Sequence, residues 1–336
     1  MRRSGHLRAP ERTTRPTLAG SCTRPSRHHP PFRAVSAPQS DARPHHDAGG
    51  ASLSEWRRLR GVAGQSPIMA QRRASTHTNP EERHMPASDL TVETRIGTKR
   101  KPRRILSIVS NTTELKGFPV GFFAEEMTRA FLMFTEAGHH VDLASPKGGE
   151  VMFDTHSDPR TPGGAYADDL ISLGFVHHAK FGALLKNTLP ISAINVDDYD
   201  AVWVAGGGGP LLTFRDDTAL HALIASFYEK EKIVTLICHG SCLLLWTRLS
   251  NGKLLAEGKK WTGFTDEEEE AVNVAFGMTL NEHTIQSEVA RIAGTSFLCR
   301  GANEPFAIRD GRLITGQQQY SSGITAELVL EALAED

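Results

Sequence analysis

An α/β domain, its mostly parallel sheet covered by helices on both faces, is the fold class the sequence predicts for residues 101–336. Two observations carry it. Short β-rich apolar runs alternate with helical stretches, and those runs are apolar at consecutive positions, as strands buried on both faces are. A third sets the boundary: residues 1–100 show no apolar periodicity, so a disordered N-terminal segment is expected before the domain.

The first strand is predicted at ILSIVS (105–110), after a basic stretch. A helix is expected over 121–137, where Phe123, Met127, Ala130, Phe131 and Phe134 recur at helical spacing and Gly138 stops it. HVDLAS (140–145) reads as the second strand and completes a βαβ unit. Weaker helical signals lie at 168–173 and 178–186. YDAVWVAGG (199–207) reads as a strand running into glycines, 216–230 as a helix and 233–237 as a further strand. Cys238, His239 and Gly240 interrupt before an apolar helix expected over 241–249. A short segment at 260–263, helices from Asp266 and over 284–293, strand-like pieces near Phe297 and Leu313, and a closing helix over 321–333 complete the domain.

Composition narrows the function. The 336 residues carry 38 Lys and Arg against 39 Asp and Glu. About 18 of those bases and 8 of the acids fall in residues 1–100, leaving the domain near −11. An acidic domain argues against nucleic acid as partner, because phosphate binding needs a basic face. No apolar run reaches the ~20 residues that span a bilayer. Four cysteines are too few for a disulfide scaffold, and no His/Cys spacing matches a zinc module. A cytoplasmic setting with no metal and no cofactor is therefore expected. Residues 1–100 are rich in Pro, Arg and His and lack an apolar signal core. Among a transit peptide, a basic arm and a translation start placed too far upstream, the reading favours the last, since Met69 and Met85 lie shortly before the ordered pattern.

Chemistry concentrates at IVTLICHGSC (233–242). A strand that ends at Cys238 and turns quickly into a helix lifts the side chain above the carboxyl edge of the sheet. The helix N-terminus there favours a thiolate, the form a cysteine nucleophile needs. His239 beside it is a candidate base. Cys242, inside an apolar run, reads as packing. Glu126 lies at the edge of the apolar stripe, where burial would raise its pKa and keep it protonated, whereas Glu125 falls on the polar side. The glycines at 206–209 lack a nucleotide-binding pattern and suit close backbone approach, with N–H groups available to an oxyanion. Acids at 266–269 open a helix, and one of them could orient His239.

The motifs GFFAEE (121–126), DLASPKGG (142–149), DTHSDP (154–159), YDAVWVAGGGGP (199–210), ICHGSC (237–242), TGFTDEEE (262–269) and DGRLITGQ (310–317), in this order, resemble the ThiJ/PfpI superfamily, also called DJ-1/PfpI-like or class I glutamine amidotransferase-like. The similar branch holds the thirty-one-kilodalton heat-shock chaperones and glutathione-independent glyoxalases. The resemblance implies a flavodoxin-like sandwich, a homodimer, and a cofactor-independent, glyoxalase III-type lyase of stress response (D-lactate dehydratase). Its substrate would be a small carbonyl compound, methylglyoxal going to lactate. It places the nucleophile on Cys238, the histidine on His239, the helix glutamate on Glu126 and the third acid on Glu269 first, Asp266 second. Gly207, Gly208 and Gly240 would serve oxyanion and substrate. The chain departs from the family at Gly208, often histidine there, and at CHGSC, more commonly CHGPA. A holding chaperone or cysteine redox sensor is the alternative reading. An amidase or peptidase is the third.

Overall fold

The computed structural model describes residues 101–336; the expected disorder of residues 1–100, and the reading of where translation starts, lie outside the described residues. Strand β1 (Arg104–Ile108) leads into a hairpin of β2 (Thr113–Leu115) and β3 (Phe118–Val120), then helix α1 (Ala124–Glu136) and β4 (His140–Ser145). Helices α2 (Leu170–His177) and α3 (Ala179–Leu184) precede the two-residue β5 (Leu189–Pro190). After β6 (Ala201–Val204) come α4 (Pro210–Thr213), α5 (Thr218–Glu229) and β7 (Ile233–Ile237). The remainder holds β8 (Lys260–Trp261), α6 (Asp266–Phe276), α7 (Ile285–Val289), β9 (Ser296–Phe297), β10 (Ala307–Asp310), β11 (Leu313–Gly316) and α8 (Ser322–Glu335).

Seven strands form the main sheet in the order β10-β11-β7-β6-β1-β4-β5, with every pair parallel except β10–β11. This is the doubly wound, mostly parallel architecture the alternating pattern predicts. The central strands explain their consecutive apolar runs: β6 and β7 are buried along their whole length, because helices cover them. Because β1, β6 and β7 run in parallel, their carboxyl ends meet at one edge, and the loops that leave them face one another there.

Helix α1 sits against this edge for a readable reason. Its stripe of Met127, Ala130, Phe131 and Phe134 is buried, and Phe134 meets the fully buried Trp203 of β6 edge to face at 5.5 Å. The Trp203 indole N–H donates to the carbonyl of Glu126 at 3.1 Å, which pins the first turn of α1 over β6.

Two sequence expectations are corrected, and one element had none. The helix placed at 241–249 is a 3-10 segment that starts at the cysteine itself (Cys238–Leu245), so the turn is sharper than expected. Glu125, assigned to the polar side, is buried and held by Arg129 at 3.0 Å, because α2 and α8 close over that face. The β2–β3 hairpin gave no sequence signal: its strands are three residues each, too short for alternation to register. No helix among the described residues is long and apolar enough to cross a membrane.

Candidate active site

Strand β7 ends at Ile237, and the backbone of Cys238 adopts φ of +55°, a left-handed conformation costing a non-glycine residue on the order of 1 kcal/mol. The surroundings enforce it. The Ser241 hydroxyl donates to the Cys238 carbonyl at 2.7 Å, so serine supplies a local brace where the family often has proline. Gly240 is needed for close approach: a Cβ there would stand 2.7 Å from the carbonyl oxygen of Val204. The strained turn aims the Cys238 thiol at the residues leaving β6, not into the core.

Those residues are the four glycines, and each N–H has a partner. Gly206 donates to Glu126 Oε2 at 2.6 Å, Gly207 to the Cys238 sulfur, Gly208 to Asp154 Oδ2 at 2.9 Å and Gly209 to the Gly121 carbonyl at 2.8 Å. A Cβ at Gly206 would lie 2.7 Å from the His239 backbone nitrogen, 2.8 Å from Cys238 Cβ and 2.9 Å from Glu126 Oε2, so only glycine fits between the turn and the Glu126 carboxyl. Gly208 does not offer its N–H to an oxyanion, because Asp154 has taken it. Gly240 packs beneath the turn and does not face the cavity.

Glu126 is fully buried rather than at a wet rim. Burial pushes its carboxyl up to about 8, against the opposing N–H of Gly206. Burial, followed by the Glu126 charge, likewise pushes the Cys238 thiol up, opposed by the N–H groups of His239 and Gly207. Two anions cannot share so dry a space, so protonating Glu126 removes the charge that holds the thiol proton. Cys242 is fully buried in the core, and burial pushes its thiol up.

His239 lies across the turn, with Nδ1 3.8 Å from the Cys238 sulfur and Nε2 2.8 Å from Glu269 Oε1. Asn281 donates to the other oxygen of Glu269 at 3.0 Å. Burial would raise Glu269, but the adjacent imidazole and these hydrogen bonds outweigh it and hold the carboxylate below its ordinary value. Of the two acids considered, Glu269 is on the imidazole. Asp266 is exposed, accepts from the Thr284 hydroxyl and donates its backbone N–H to Gln286, away from the imidazole. The reason is helical phase: three residues separate their positions on α6, and only Glu269 is turned inward.

The sulfur and imidazole open onto a cavity of about 760 Å³. Its walls include residues that sequence reasoning did not single out, among them Asp154, His156, Tyr166 and Phe264. The DTHSDP motif was the available signal for the first two. Phe264 lies against the His239 ring, with centroids 4.3 Å apart, and so confines it.

A model of the DJ-1/PfpI family matches residues 120–329. Glyoxalase 3 of Candida albicans is 29% identical over 231 residues, covering 68% of this chain and 95% of that protein. A glutathione-independent glyoxalase of Saccharomyces cerevisiae is 26% identical over 238 residues, covering 69% of this chain and 98% of its own. The crystal structure of glyoxalase III from Candida albicans superposes with a TM-score of 0.57 at 26% identity, covering 68% of this chain and 97% of that one.

Proposed function

The chain belongs to the DJ-1/PfpI family, and we propose that it is a glutathione-independent glyoxalase that converts 2-oxoaldehydes into 2-hydroxy acids. The observation that carries this reading is a thiol and an imidazole 3.8 Å apart in the lining of one cavity, with the buried Glu126 carboxyl, of raised pKa, hydrogen-bonded to the thiol.

Proton transfer from the Cys238 thiol to His239 Nδ1 leaves a thiolate that accepts hydrogen bonds from the already protonated Glu126 carboxyl and from the N–H groups of Gly207 and His239. The thiolate adds to the aldehyde carbon, and the oxygen takes a proton to give a hemithioacetal. His239, its Nε2 held by Glu269, removes the proton on C1 through Nδ1, forming an enediol. Return of that proton to C2, with the C1 hydroxyl proton ending on the C2 oxygen, gives the thioester of a 2-hydroxy acid. Water then cleaves the C–S bond, releasing the acid and restoring the thiol. No net oxidation occurs: the aldehyde carbon is oxidised as the neighbouring ketone carbon is reduced.

The same reading takes residues 101–336 as one domain, working as a homodimer in the cytoplasm on a small carbonyl compound. The test is conversion of methylglyoxal to lactate by purified protein without glutathione. Cys238→Ala is expected to lower kcat/KM at least 1,000-fold. Unchanged turnover by that variant would overturn the proposal.

A further inference from the structure

We infer that the oxoaldehyde this site takes carries a large uncharged apolar side arm, aryl or medium-chain alkyl, rather than the methyl group of methylglyoxal. The inference rests on the glyoxalase reading and specifies its substrate. Size is the first argument. A three-carbon oxoaldehyde fills on the order of 100 Å³, about the space of three waters, whereas the cavity measures about 760 Å³. Methylglyoxal would leave most of it to water.

The second argument is polarity along the cavity. The reacting groups Cys238, His239 and Gly207 share the lining with an apolar wall of Leu115, Phe118, Val120, Val272, Phe276 and Leu280. That wall is a small hydrophobic cluster of its own, built by the β2–β3 hairpin against α6, with Phe118 and Phe276 edge to face at 5.3 Å. Phe123 and Tyr166 form a second edge-to-face pair at 5.0 Å beside the lining. Paired rings of this kind leave open faces and edges suited to another ring.

Charge supplies the third. Among the described residues no Lys or Arg lines the cavity, while Asp154, Glu268 and Glu269 do. These acids are already engaged. Asp154 accepts from Gly208 and His156, Glu268 from Thr265, Asn303 and Gln317, and Glu269 from Asn281 besides pairing with His239. A phosphate or carboxylate on the side arm would meet three acids and no cation, so anionic oxoaldehydes are disfavoured.

Each buried methylene is worth about fourfold in affinity, so a phenyl in place of a methyl is expected to raise kcat/KM at least tenfold, mainly through KM. The experiment compares phenylglyoxal with methylglyoxal in the wild type, Ala275→Phe and Ala271→Leu, two positions of α6 in the cavity lining, beside the apolar residues Val272 and Phe276. The expected result is a preference for phenylglyoxal whose ratio falls at least tenfold in Ala275→Phe and by a smaller factor in Ala271→Leu. Preference for methylglyoxal in the wild type, or a ratio unmoved by both variants, overturns the inference and leaves the glyoxalase reading intact. Failure of the wild type to convert either aldehyde overturns both.

Discussion

The two ends of the cavity are built by different rules. At the reacting end Cys238, which follows β7, and Glu269 of α6 line the cavity at 2% exposure, and the fully buried Glu126 of α1 accepts from Gly206 of the glycine loop. At the outer end Phe118 is 38% exposed and leans on Phe276 in a cluster of three buried residues detached from the main core. Reaction geometry needs the first kind of support, since a shift of about 1 Å there is costly. Side-arm selection tolerates the second kind, since hydrophobic contact has no direction. The outer end can therefore change in sequence without disturbing the chemistry.

Perturbing both ends sharpens the contrast. After Cys238→Ala, the largest effect is expected from Glu269→Gln, which keeps the shape and loses the charge behind His239. The kcat should fall about 100-fold with little change in melting temperature. A fall below threefold would separate Glu269 from the chemistry.

Next comes a pH effect confined to the reacting end. The Glu126 carboxyl is held at about 8, against an ordinary value of 4.5, so the folded chain keeps a proton that the unfolded chain releases between those values. Stability contributed by this group is thus highest at acid pH and declines as pH rises through that window. Glu126→Gln cannot lose a proton. Relative to the wild type it should gain up to about 1.4 kcal/mol per pH unit from pH 4.5 to 8, read by urea unfolding at several pH values. Parallel pH profiles would show that Glu126 does not titrate there.

Phe118→Ala at the outer end is the smallest change. About 1 kcal/mol of stability should be lost, because the ring is only partly buried. Methylglyoxal turnover should change far less than in Glu269→Gln. If it fell as steeply, the independence of the two ends would be broken.

Much of this was legible beforehand, and the misses have physical causes. Strands His140–Ser145 and Ile233–Ile237 agree with their sequence expectations to the residue, because β-prone, largely apolar segments with turn or charged residues on either side leave little choice of bounds. The helix expected from Asp266 begins there, with Thr265 and Glu268 forming a capping box. The 3-10 turn at Cys238 was misread as a later helix, since 3-10 segments share helical composition and differ only in packing. Cys238 and His239 stood out through their position at a strand end. Glu126 was ambiguous because a residue at the edge of a helical stripe is buried or wet according to what packs beside it. Asn281 carried no local pattern at all, and the DTHSDP motif marked Asp154 without giving it a role.

The sequence by itself determined the alternation of strands and helices, the cysteine at the carboxyl end of β7 and the run of glycines after β6, since these follow from periodicity and from residues with few conformational alternatives. Only the tertiary structure decided that Glu126 is buried beside the sulfur, that Glu269 and not Asp266 meets the imidazole, and that Asp154 claims the N–H of Gly208. Each joins residues 30 or more positions apart, or divides neighbours on one helix by a fraction of a turn. Such choices are made by packing between elements, and local sequence patterns do not record them.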